Sequence, residues 1–138
     1  MVKDQGGRKK AYPKVLVIDT DSRNLEEIAN RLRKEGFRVV RCLTPRGALG
    51  RIREELPDAV VVEVILPAVS GFEIAARMQA DLRLSRIPIF FTTDIQDSDG
   101  ESCDYFSRPL DMSALVRALR ERTAAKNDFP RMHSSGAN

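Results

Sequence analysis

The feature that most constrains this chain is a series of short apolar runs, each followed by an amphipathic stretch. "KVLVID" (14–19), "DAVVVE" (58–63) and "IPIFFTT" (87–93) lack the apolar–polar alternation of a strand with one wet face. A strand that is apolar throughout must be covered on both sides. "FRVVRC" (37–42) is a further strand, and "DYFS" (104–107) a short fifth. Between them, "SRNLEEIANRLRKEG" places Leu25, Ile28 and Leu32 at helical spacing with Gly36 as a stop. Further helices are predicted over Pro45–Glu55, over Gly71–Leu84, and from about Asp111, where Met112, Leu115 and Leu119 set the face. Such alternation predicts an α/β, doubly wound, five-stranded parallel sheet. In sheets of this kind the functional crevice lies beyond the carboxyl ends of the strands. Asp19, Glu63, Thr93 and Arg108 all fall at or just after those ends.

Glu63 is the sharpest of these, because a buried carboxylate is costly unless it is paired or used. No GxGxxG or GxxxxGK[ST] loop is present, so neither a dinucleotide nor a P-loop nucleotide is the expected occupant. With 138 residues the chain suits one domain. The predicted division is a tail over 1–13, a domain over 14–125 and a second tail over 126–138. No apolar run approaches the roughly 20 residues of a membrane span. "MVKDQGGRKK" has no apolar stretch behind it, so a cytoplasmic location is expected. Cys42 and Cys103 form no CxxC, and the one histidine, His133, lies in the polar C-terminal tail, so no metal centre is expected and both thiols are read as structural. A net charge of +3 is mild, and Arg46, Arg51, Arg53, Arg117, Arg120 and Arg122 are interleaved with Glu54, Glu55 and Glu121, as on a solvated face. A basic nucleic-acid binder is the weakest reading, since no reading helix or aromatic platform is visible. Met78, Met112 and Phe72 fall at core spacing.

Five stretches in order carry a resemblance: "VLVIDTD", "EGFRVVRCLTPRGAL", "PDAVVVEVILPAVSGFE", "IPIFFTT" and "DYFSRPL". The chain resembles a response-regulator receiver domain, the phosphoryl-accepting module of bacterial two-component signalling, over about residues 14–125. The spacing of Glu63, Pro67 and Gly71 is the most specific part. The resemblance implies a flavodoxin-like sheet of order 2-1-3-4-5. It also implies a pocket with an acidic pair after strand one, an acceptor Asp ending strand three, a Ser or Thr ending strand four and a Lys before the Pro of strand five. In such a pocket the acceptor carboxylate attacks phosphorus, the acidic pair holds magnesium, and the hydroxyl and ammonium donate to the transferred oxygens.

Three of the four parts are altered: Glu63 holds the acceptor position, Thr20 the second acid of the pair, and Arg108 the lysine position. Glutamate moves its carboxylate by roughly 1.5 Å where reacting atoms must approach within about 3–3.5 Å. Thr20 removes a hard anionic ligand, and the planar fork of Arg108 suits carboxylates. Thr93 remains as the hydroxyl, with Thr92 as a one-residue alternative in register, and Asp21 is read as a helix N-cap. The expected protein is a stand-alone, degenerate receiver, not an enzyme and without metal or cofactor, that binds signalling proteins or a second copy of itself. The alternative is a working receiver that accepts a phosphoryl group on Glu63. "DIQDSDGESCDYFS" after Thr93 offers no amphipathic helix, so the family's fourth helix is expected to be missing or reduced. Its loss would bare a docking face made from Phe90, Phe91, Tyr105 and Phe106.

Overall fold

The structure, a computed structural model, describes residues 12–94 and 104–127, the last four by backbone alone. Five strands form one parallel sheet: β1 (Lys14–Ile18), β2 (Arg38–Cys42), β3 (Ala59–Glu63), β4 (Ile89–Thr93) and β5 (Tyr105–Ser107). They are ordered β2-β1-β3-β4-β5, as expected. The helices are α1 (Ser22–Lys34), α2 (Ala48–Glu55), α3 (Gly71–Gln79) and α4 (Met112–Asn127). The tails expected at 1–13 and 126–138 fall almost wholly outside the described residues. So does the expectation of a missing helix between β4 and β5, which rests mainly on 95–103. Among the described residues, no helix is long and apolar enough to cross a membrane.

Because successive strand residues point to opposite faces, a wholly apolar strand feeds two cores. Val15, Val17, Ala59, Val61 and Phe90 pack with Leu25, Ile28 and Leu32 of α1 and Leu115 and Leu119 of α4. Leu16, Ile18, Val60 and Val62 pack on the other face with Ala48 and Ile52 of α2 and Ile74 and Met78 of α3. Complete burial of each of the larger side chains contributes about 1.5–3 kcal/mol.

Local signals set the helix ends. Asp21 caps α1, its carboxylate accepting from the Arg23 and Asn24 amides at 2.9 and 3.3 Å. Gly36, at φ 97°, turns the chain after α1, and the Phe37 amide then reaches back to Leu32 O at 3.0 Å. The predicted helix over Pro45–Glu55 begins as one 3-10 turn, Pro45–Gly47, before α2. The helix predicted over Gly71–Leu84 stops at Gln79. Asp81 explains the early stop: its carboxylate accepts from the Arg83 amide at 2.9 Å and from Arg53 Nε at 3.2 Å, and its carbonyl from the Leu84 amide at 2.9 Å. This local bonding competes with helix continuation, while Leu84 still reaches the core.

Candidate functional site at the carboxyl ends of the strands

Parallel pairing brings the strand ends together. Glu63 closes β3 opposite Thr92 of β4, and Thr93 stands opposite Ser107 of β5. The Asp19 amide donates to Cys42 O at 3.2 Å, and the Arg108 amide to Thr93 O at 2.9 Å, so both backbones are fixed by sheet-like bonds. On the other side, Gly71 opens α3 against Glu63. Its amide donates to Val64 O at 2.8 Å, and any Cβ at this position would collide with the Glu63 carbonyl oxygen. Only glycine lets the helix start this close to the carboxylate it flanks.

The sequence-predicted residues meet here around one guanidinium. Arg108 Nη1 donates to Glu63 Oε1 at 2.6 Å and Nη2 to Asp19 Oδ2 at 3.1 Å, with Asp94 Oδ1 at the outer edge, 3.5 Å from Nη1. The Asp19 and Glu63 side chains are only 4% and 9% exposed and that of Arg108 16%, so the fork is largely shielded from water, whereas the Asp94 carboxylate is solvated. The second Asp19 oxygen accepts from the Asp21 amide at 2.9 Å. Glu63 Oε1 also accepts from Thr92 Oγ1 at 3.3 Å, and Oε2 from the Ile65 amide at 3.4 Å. Burial raises the Asp19 pKa, and nearby Glu63 adds to the rise, against the lowering effects of the Asp21 amide and Arg108. Burial works against the charge on Arg108. The hydrogen bond to Glu63 and the surrounding carboxylates outweigh it and raise the guanidinium pKa.

Thr20 is exposed and makes no side-chain hydrogen bond among the described residues. Asp21 serves as the α1 cap. Thr93 is buried, and its carbonyl anchors Arg108. The hydroxyl that donates to Glu63 is that of Thr92, the neighbour of Thr93 on the same strand. The donor set does not fit the magnesium ion that the sequence resemblance implies. A magnesium ion keeps near-octahedral oxygen ligation and usually takes one or two free carboxylates; here Thr20 is neutral, and Asp19 and Glu63 are both engaged by Arg108. No group of three or more His, Cys, Asp or Glu side chains suited to a metal occurs among the described residues.

The expected docking face needs correction. Phe90 is fully buried, and Phe106 packs against the same core on the α1–α4 face. Phe91 and Tyr105 lie on the opposite face, their rings stacked 5.0 Å apart. Phe72, read from sequence as core, is 46% exposed and joins them at 5.0 Å from Phe91. Adjacent strand residues cannot share a face, so the four aromatics do not make one patch.

Comparison with known proteins places this geometry among relatives. The family described as the response regulator receiver domain matches residues 15–120. The chain is 25% identical over 113 residues to protein PilH of Pseudomonas aeruginosa, covering 77% of this chain and 93% of PilH. It is 30% identical over 121 residues to the DNA-binding dual master transcriptional regulator RpaA of Synechocystis, covering 80% of this chain and 50% of RpaA, so it spans about half of that relative. A solved response regulator receiver domain protein from Clostridium thermocellum superposes with a TM-score of 0.74 at 21% identity, over 85% of this chain and 98% of the other.

Proposed function

The chain belongs to the response regulator receiver family, and from that premise we propose that it is a phosphorylation-independent receiver, a protein-interaction module of bacterial signalling that works through its surface. One observation carries the reading: Arg108 forks across Glu63 and Asp19 inside a largely water-shielded pocket. Attack on phosphorus needs an unengaged carboxylate oxygen in line with the leaving group and a cation to offset phosphoryl charge. Glu63 Oε1 is instead taken by Arg108 and Thr92, Oε2 accepts from the Ile65 amide at 3.4 Å, and the guanidinium sits between the two carboxylates that would face a metal. A single carboxylate held by an arginine also mimics a phosphate poorly, since phosphate brings nearly two charges and three acceptor oxygens. The partners of this reading are signalling proteins. The alignment with PilH over 93% of its length supports a receiver acting on its own. DNA binding, which RpaA's name states, is not carried over, because only half of RpaA is matched.

Incubation with acetyl phosphate and magnesium at neutral pH, followed by intact-mass measurement, tests the reading. The expected result is an unmodified chain. A phosphoryl adduct mapped to Glu63 would establish the competing reading, a receiver that accepts phosphate on glutamate.

A further inference from the structure

Away from the pocket, α2 and α3 enclose a second concavity of about 240 Å³ between Pro45 and the loop that joins β3 to α3. Its floor is aliphatic: Ile74 is buried, and Leu49 and Val69 are half-buried against the same core. Its rim carries two guanidinium groups. Arg46 is exposed and has no hydrogen bond or ion pair among the described residues. Among the described residues Arg77 pairs with Glu73, a turn earlier on the same helix at 3.3 Å with both side chains exposed; such a pair contributes little and exchanges readily. Arg53, further along α2, is already engaged by Asp81.

From these features we propose that the groove docks an acidic segment of a partner protein bearing one branched aliphatic side chain. The volume falls below the roughly 300–1,000 Å³ of small-molecule and cofactor sites but suits a single inserted side chain. The floor offers methyl groups and no aromatic ring, which favours an aliphatic anchor. The rim has two arginines against one glutamate, so it favours carboxylates beside that anchor. One wall is conformationally strained. Ala68 is held at φ 72°, a left-handed conformation that costs an L-residue roughly 1–2 kcal/mol. The turn around it is fixed, with the Val69 amide on Pro67 O and the Gly71 amide on Val64 O, each at 2.8 Å. Backbone strain kept in place by its surroundings concentrates at ligand clamps and binding sites. The same loop follows Glu63, so the groove adjoins the strand end that carries the fork. The inference rests on the phosphorylation-independent reading in that docking requires no modification of Glu63.

Fluorescence anisotropy with three labelled synthetic peptides tests it: one leucine between aspartates, the same peptide with alanine for leucine, and the same with lysines for aspartates. The wild-type chain is expected to bind the first saturably and the other two at least about tenfold more weakly. Arg46→Glu, a surface change whose fold is checked by circular dichroism, is expected to weaken binding of the first by a similar factor. No saturable binding, equal binding of the lysine peptide, or unchanged binding by Arg46→Glu overturns the proposal. So does self-association of the wild-type chain that Arg46→Glu abolishes, which would assign the groove to a second copy. Repeating the titration after acetyl phosphate treatment separates the two claims. A phosphoryl adduct with peptide binding intact refutes only the silent pocket, whereas lost peptide selectivity on a chain of unmodified mass refutes only the docking site.

Discussion

Arg108 sets one cation against both Glu63 and Asp19, partners that burial makes unforgiving. Removing one member of a buried ion pair leaves the others unpaired, so Arg108→Ala is expected to cost on the order of 3 kcal/mol in urea unfolding; a wild-type midpoint would contradict the role given to the fork. Asp19 predicts a pH effect of definite sign. Its folded pKa lies above the ordinary 3.8, so between those two values the native state holds more protons than the unfolded chain. The Asp19 contribution is therefore greatest below 3.8 and is lost as pH rises through the folded value. Asp19→Asn keeps an acceptor for the Asp21 amide and removes this dependence, so wild type minus variant, measured by thermal melts across the acidic range, should fall with rising pH. Glu63, Asp19 and Arg108 were legible in the sequence because strand ends in a doubly wound sheet converge and the motif spacing locates them. Thr92 was not, because choosing between neighbouring threonines requires the direction of each side chain at the strand end.

Elements were legible where a periodic pattern ran its full length and less so where a local bond cut it short. The α1 pattern and its Asp21 cap could be read directly, whereas the end of α3 depends on Asp81 turning its carboxylate back onto the chain. The aromatic pair of β4 failed for a similar reason: both residues are apolar, and only the register decides that Phe90 is buried while Phe91 stacks on Tyr105. Two substitutions test the element boundaries. Leu56 ends α2 at φ 43° with its side chain half in water, so Leu56→Gly relieves a left-handed strain without opening a cavity. It is expected to gain about 0.5–1 kcal/mol in chemical denaturation. Gly71→Ala drives a methyl group into the Glu63 carbonyl, a backbone atom that cannot swing aside, and should cost about 2 kcal/mol while disturbing the fork.

At the scale of the whole molecule, topology was the most legible property, since apolar strands separated by amphipathic helices leave few ways to bury both faces of a sheet. The five-strand order follows that reading, and the scaffold around the pocket is that of a receiver. Because the described strands keep the receiver order around the pocket, the combined change Thr20→Asp, Glu63→Asp and Arg108→Lys is expected to give detectable phosphoryl acceptance from acetyl phosphate with magnesium by intact mass. Glu63→Asp alone is expected to give none, as Arg108 would still hold the pocket. Millimolar magnesium should leave the wild-type melting temperature unchanged, since a ligand of the native state would raise it.

The Arg108 fork also bears on time. An aspartyl phosphate is a clock, set when the phosphoryl group arrives and run down by hydrolysis, so a receiver that carries one reports how recently it was addressed. A guanidinium on its own side chain has no hydrolysis rate and no arrival event. On the proposed reading each copy is born in its final state, and what the cell varies is the number of copies. The response of such a module is therefore paced by synthesis, dilution and proteolysis, and its memory lasts as long as the polypeptide.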